Sequence, residues 1–150
     1  MFRNFFSPNH INKIGFEDIL LSFNCDNILL INTLPINEQS YLIKNTLSIN
    51  LEESTINEIL TQRKDINITI IIYGKNSLDK SIELKYTQLR TLGYYEKNLY
   101  IYYGGLFEWA LLKDIYGETF ATTINDKDIL RYKPTAKLLQ YMSPILCVKS

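Results

Sequence analysis

Ile68-Thr69-Ile70-Ile71-Ile72-Tyr73, followed at once by Gly74-Lys75-Asn76-Ser77-Leu78-Asp79-Lys80-Ser81, decides the fold of this chain. The first six residues are apolar and mostly β-branched, too few for a helix and too continuous for a surface strand. They predict a strand buried on both faces at the centre of a sheet. The next eight have no apolar period and read as a loop, with Asp79 or Ser81 placed to cap a following helix.

Working outward, Ile82, Tyr86, Leu89 and Leu92 mark the inner face of that helix, and Gly93 ends it. Leu99-Tyr100-Ile101-Tyr102 repeats the strand signal, and Gly104-Gly105 turns the chain into an apolar helix from Leu106 to Ile115, stopped before Gly117. On the other side, Ile56, Ile59 and Leu60 give a helical face that starts from a capping box of Asn50 and Glu53 and ends at Gln62-Arg63-Lys64-Asp65. Thr46 to Ile49 alternates as a short strand. Ile28 to Ile31 reads as a buried strand, and Phe16, Ile19, Leu20 and Phe23 as a short helix beginning near Gly15. Strands alternating with helices predict an α/β fold with a parallel central sheet and helices on both faces. Gly74 and Gly104-Gly105 then fall on one sheet edge. After Phe120 the pattern weakens, with a short helix from Asn125 to Leu130, a break at Pro134 and one or two turns between Ala136 and Met142.

With 150 residues, one domain is expected. Sixteen basic and sixteen acidic residues cancel, so no strong field gathers nucleic acid or an anionic membrane surface. The apolar share of 46% is ample for a core. Cys25 and Cys147 make neither a disulfide framework nor a metal motif, and each is expected to be buried as a small apolar group. Residues 1–6 lack a signal-peptide run, and Ile68 to Tyr73 is too short to span a bilayer. A soluble, cytoplasmic protein is expected, with no metal and no cofactor.

Gly74 to Ser81 is the candidate site. At the carboxyl end of a parallel strand, a loop running into a helix aims N–H groups at one point, and Lys75, Asn76 and Ser77 add side-chain donors for an anion. Asp79 works against an anion unless its carboxylate caps the helix. The simpler reading of the same residues is a polar connection that Asp79 caps. Other residues read as structural: Glu108 and Asp114 as solvated helix positions, Trp109 as core, His10 as a surface residue of the N-terminal arm. Tyr94, Tyr95, Tyr102 and Tyr103 read as half-buried packing.

The segments Phe16 to Leu20, Ile28 to Asn32 and Leu42 to Ile49, the loop after Tyr73, and Tyr103-Gly104-Gly105-Leu106-Phe107-Glu108-Trp109 together resemble a rhodanese domain. The resemblance covers about residues 14–123, and its most specific element is Gly104-Gly105 followed by Trp109. It makes residues 1–13 an N-terminal arm and 124–150 an extension packed on the domain. Asp114 to Gly117 and Phe120 to Thr123 look most like a divergent branch found in large DNA viruses and protists. On that branch a virion-associated location is an alternative.

Departures from the family pattern carry the functional expectation. Asn32-Thr33-Leu34 stands where the family has Asp-x-Arg, and Tyr41 to Thr46 keeps only Ile43 of its Gly-His-Ile motif. The family's catalytic cysteine belongs in the loop after Tyr73, where this chain has none. Directly after the strand its position is Gly74; by the Tyr-Gly-x-Asn-Cys pattern of the divergent branch it is Ser77, the preferred alignment. Sulfur transfer needs a thiolate that holds sulfur as a persulfide, which a serine hydroxyl cannot do. The phosphatase and arsenate-reductase relatives need a loop arginine as well, and Arg3, Arg63, Arg90 and Arg131 all lie elsewhere. Ser77 as a nucleophile would need a base, and the only histidine is His10. The resemblance therefore implies a catalytically inactive module that binds a protein partner or a small anion. The alternatives are a sulfurtransferase with a relocated cysteine and a structural role in an assembly.

Overall fold

In the computed structural model, which describes residues 11–125 and 128–136, four strands form one parallel sheet. They are β1 (Lys13–Ile14), β2 (Ile28–Asn32), β3 (Thr69–Tyr73) and β4 (Leu99–Tyr102), in the order β1-β4-β3-β2. β3 is interior as expected. It pairs Ile71 with Leu30 on one side and with Tyr100 on the other. β1 carries no sequence signal because it has two residues. It is held instead by the Asn12 side chain, whose amide donates to Glu96 O (2.9 Å) and Leu99 O (3.2 Å).

Four helices cover the sheet among the described residues: α1 (Phe16–Ser22), α2 (Ile49–Thr61), α3 (Ser81–Thr91) and α4 (Gly105–Tyr116). Successive strand residues face opposite ways, so β2, β3 and β4 each serve two cores. Leu30, Ile71, Tyr73 and Tyr102 pack with Ile19 of α1 and with Leu106 and Trp109 of α4. Ile31, Ile70, Ile72 and Ile101 pack with Ile56 and Ile59 of α2 and with Ile82, Tyr86 and Leu89 of α3. The expected arrangement of helices on both faces holds.

Three local readings need correction. Thr46 makes a single parallel bridge to Leu30, not a strand, because helix α2 begins only three residues later. Ser48 occupies the N-cap of α2 in place of Asn50, with no side-chain cap bond, so the Asn50–Glu53 box does not form. Leu92 is 56% exposed: α3 ends at Thr91, and Gly93 turns the chain away with φ +97°.

The buried phenols give the fold an alkaline limit. Burial pushes Tyr73, Tyr94 and Tyr102 well above the ordinary tyrosine range, with Asp65 adding to the effect at Tyr94 and Glu108 at Tyr102. Tyr103, beside Glu83, is pushed up to about 12, again mainly by burial. Each folded-state value exceeds the unfolded value, so the stability these groups contribute is intact below about pH 10 and lost as pH rises beyond it. Urea midpoints are expected to be flat to about pH 9. They should then fall, each fully buried tyrosine adding a slope of about 1.4 kcal/mol per pH unit. A flat midpoint to pH 11.5 would contradict this.

Candidate functional site

Loop 74–80 leaves the interior strand β3 at its carboxyl end and runs into α3. Gly74 is buried, and a side chain there would force neighbouring side chains to move. A Cβ would lie 2.6 Å from Asp79 Oδ2 and 2.8 Å from both Thr33 Oγ1 and Ile82 Cγ1. The turn into α4 packs against the same spot. Leu106 N–H donates to Gly74 O and Phe107 N–H to Lys75 O, each at 2.9 Å. Gly105 adopts φ +67°, and its Cβ would meet Gly74 O at 2.8 Å and Asn76 N at 3.0 Å. Gly104-Gly105 and Gly74 thus share one sheet edge, as the alternation of strands and helices implied.

Four backbone N–H groups from Lys75 to Ser81 have acceptors within the same segment. Asp79 Oδ2 accepts the Lys75 N–H (3.0 Å), while Oδ1 accepts the Ser81 N–H (3.0 Å) and the Ser81 hydroxyl (2.6 Å), itself 2.7 Å from Thr33 Oγ1. Asn76 Oδ1 accepts the Leu78 N–H (3.0 Å), and Asn76 O accepts the Asp79 N–H (3.2 Å). A strand-to-helix turn of this type ordinarily offers such N–H groups to an external anion. Here the Asp79 carboxylate accepts two of them, from Lys75 and Ser81. Ser77 is exposed at the loop tip, and its hydroxyl has no hydrogen-bond partner among the described residues.

A cavity of about 640 Å³ opens over the loop, lined by Thr33, Pro35, Glu38, Lys75, Asn76, Leu78, Asp79, Lys80, Ser81 and Thr135. Thr135 is there because the described part of the C-terminal segment lies across the site. Of the helix expected from Asn125 to Leu130, residues 126–127 lie outside the described residues; the described part is a 3-10 turn, Ile129–Tyr132, ending before Pro134. It delivers Tyr132 to a buried position stacked on Tyr41, with ring centroids 5.6 Å apart. Tyr132 O accepts the Asn76 side-chain amide (2.9 Å), and Arg131 pairs with Glu38 of the cavity wall (3.6 Å). An arginine therefore does reach this region, through a carboxylate and from a segment remote in sequence.

The remaining candidates scatter. Cys25 is only partly buried and sits just before β2, at the edge where the strands begin, opposite the loop. Its expected burial is corrected, because α1 ends at Ser22 and leaves the following turn at the surface. Cys147, His10 and most of the predicted turns between Ala136 and Met142 lie outside the described residues. Asp114 is exposed as expected, but Glu108 accepts the Tyr102 hydroxyl (2.6 Å) and is half-buried over Gly104. Tyr94 and Tyr102 are core residues, and Tyr95 is 38% exposed, so the tyrosine-rich stretch is not one surface. Trp109 is fully buried, edge-on to Phe23 and Phe120. Among the described residues no group of three or more His, Cys, Asp or Glu is placed to hold a metal ion, and no helix is long and apolar enough to cross a membrane.

Sequence reasoning missed a buried carboxylate. Asp65 is fully buried, its Oδ2 accepts the Tyr95 N–H (3.0 Å), and its Oδ1 has no hydrogen-bond partner. It ties the α2–β3 and α3–β4 connections together on the edge opposite the loop. The only sequence signal was a charged residue beside a strand.

No protein-family model matches the chain, and no curated protein matches it. Solved structures do. Ygr203w of Saccharomyces cerevisiae, described as a homologue of single-domain rhodanese and of the Cdc25 phosphatase catalytic domain, superposes with a TM-score of 0.54 at 12% identity, over 76% of this chain and 88% of that one. The As–Sb reductase of Leishmania major gives 0.47 at 18% identity, over 72% and 80%. EanB, solved as the wild type and with hercynine bound to a variant, gives 0.46 at 14% identity; 62% of this chain aligns, and the chain spans about a quarter of EanB's length. On the Ygr203w superposition and the four-stranded parallel sheet, the chain has a rhodanese-like α/β fold.

Proposed function

We propose that this rhodanese-like domain is a binding module for a protein partner and carries no sulfur-transfer activity. The observation behind the reading is the Asp79 carboxylate, which holds the Lys75 and Ser81 N–H groups of a loop that has no cysteine. In rhodanese chemistry a loop thiolate attacks the outer sulfur of thiosulfate, the S–S bond breaks, sulfite leaves, and the persulfide passes its sulfur to cyanide. Ser77 cannot hold that sulfur, and the Lys75 and Ser81 backbone N–H groups that could stabilise a persulfide or a small free anion are held by Asp79. The same geometry favours a protein partner over a small free anion. It also weighs against a relocated nucleophile, since Cys25 lies on the opposite edge.

Thiosulfate-to-cyanide sulfur transfer, followed as thiocyanate with and without dithiothreitol, tests the reading. Turnover at the buffer blank is expected. Turnover above blank that survives replacement of both Cys25 and Cys147 would overturn it, and turnover lost with Cys25 alone would identify a relocated nucleophile. The resemblance of Asp114 to Thr123 to viral and protist rhodaneses supports placing the module on that divergent branch.

A further inference from the structure

Of the four charged residues lining the cavity over loop 74–80, the two acidic ones have hydrogen-bond or ion-pair partners and, among the described residues, the two lysine ammonium groups do not. Glu38 pairs with Arg131, and Asp79 is surrounded by N–H donors. Lys75 and Lys80 line the same cavity, and neither has an ion-pair partner among the described residues. Beside them Leu78 is 39% exposed and Ile36, one residue beyond the lining residue Pro35, is 82% exposed. Paired lysines next to uncovered aliphatic side chains complement a ligand that carries a carboxylate and an apolar group together. The chain already seats a peptide at this cavity, because the Tyr132 carbonyl is bound by Asn76 and Thr135 forms part of the wall.

Resting on the reading as a protein-binding module, we propose that this cavity docks an acidic peptide segment of a partner, with a carboxylate side chain between Lys75 and Lys80 and a neighbouring apolar side chain against Leu78 and Pro35. About 640 Å³ accommodates side chains of that size and not a folded element. The chain's own residues 137–150 are a poorer occupant by charge. They contain Lys137 and Lys149 and no acidic residue.

The test is a selection of displayed random dodecapeptides on the full chain. The best peptide is then synthesised with a fluorophore and titrated by anisotropy against wild type, the double variant Lys75→Glu/Lys80→Glu, and Leu78→Asp. Neither lysine ammonium is bonded within the described fold, so the double variant should melt like wild type, which a thermal scan checks. The expected outcome is an enriched motif pairing Asp or Glu with an apolar residue. Its affinity should fall about tenfold or more in the double variant, severalfold in Leu78→Asp, and steeply with added salt. No enriched peptide, a neutral or basic motif, a motif resembling residues 137–150, or equal affinity for the charge-reversed variant would each overturn the proposal. A failure here with no sulfur transfer leaves the non-catalytic reading intact. Sulfur-transfer turnover would fell that reading whatever the peptides show.

Discussion

Gly105→Ala is expected to destabilise the fold by about 3 kcal/mol, from left-handed backbone strain and a steric collision together. At φ +67° a side chain is disfavoured on its own, and the added Cβ would lie 2.8 Å from Gly74 O and 3.2 Å from Asn76 Cα, both backbone atoms that cannot swing away. Relief requires the α4 turn and loop 74–80 to separate, which breaks the Leu106-to-Gly74 and Phe107-to-Lys75 hydrogen bonds. Gly93→Ala is the control. Its φ is +97° with open space around the new Cβ, so it should cost only the backbone term of about 1–2 kcal/mol. Urea denaturation of both variants checks the difference, and equal losses would show that the two loops are not in close contact.

The second large effect is at Trp109. Trp109→Ala empties a fully buried site between Phe23 and Phe120 and should cost about 4 kcal/mol, within the range for large-to-small changes at buried aromatics. Trp109→Phe separates packing from hydrogen bonding. The indole N–H donates to Ala121 O (3.0 Å), which keeps a second donor, Lys44 N–H (3.0 Å), when the indole is removed. A loss of only about 1–2 kcal/mol is therefore expected for the phenylalanine variant. If both variants unfold at the same urea concentration, the hydrogen bond to the 120–123 segment, not cavity formation, dominates.

These two residues are also where the sequence was most informative. The β-branched run ending at Tyr73 marked the interior strand because only a strand buried on both faces tolerates such continuity. Alternation with apolar helices then brought Gly74 and Gly104-Gly105 to one edge, and Trp109 read as core, as it is. Elements stabilised by single long-range contacts were illegible. β1 depends on Asn12 reaching the 96–99 backbone, and the start of α2 depends on Leu47 N–H bonding to Leu30 O (2.8 Å). The site was half legible for the same reason. Spacing placed Asp79 or Ser81 as the cap of α3, but Lys80 is its N-cap with no side-chain cap bond, and Asp79 instead accepts the Ser81 and Lys75 N–H groups. Nor could spacing show that Tyr132, more than fifty positions downstream, accepts from Asn76. The loop's own Asp79, which the sequence already offered as the simpler, structural reading, takes two of the N–H groups that could face an anion.

That occupation is measurable amide by amide. In a ¹⁵N-labelled sample titrated with sodium sulfate at constant ionic strength, the Lys75 and Ser81 backbone resonances of the wild-type chain should show no saturable shift. In Asp79→Ala the same two N–H groups lose their acceptor beside the Lys75 and Lys80 side chains, so a saturable shift in the millimolar range is expected. Saturable sulfate binding at Lys75 and Ser81 in the wild-type chain, unchanged in Asp79→Ala, would contradict occupation of the loop by its own carboxylate.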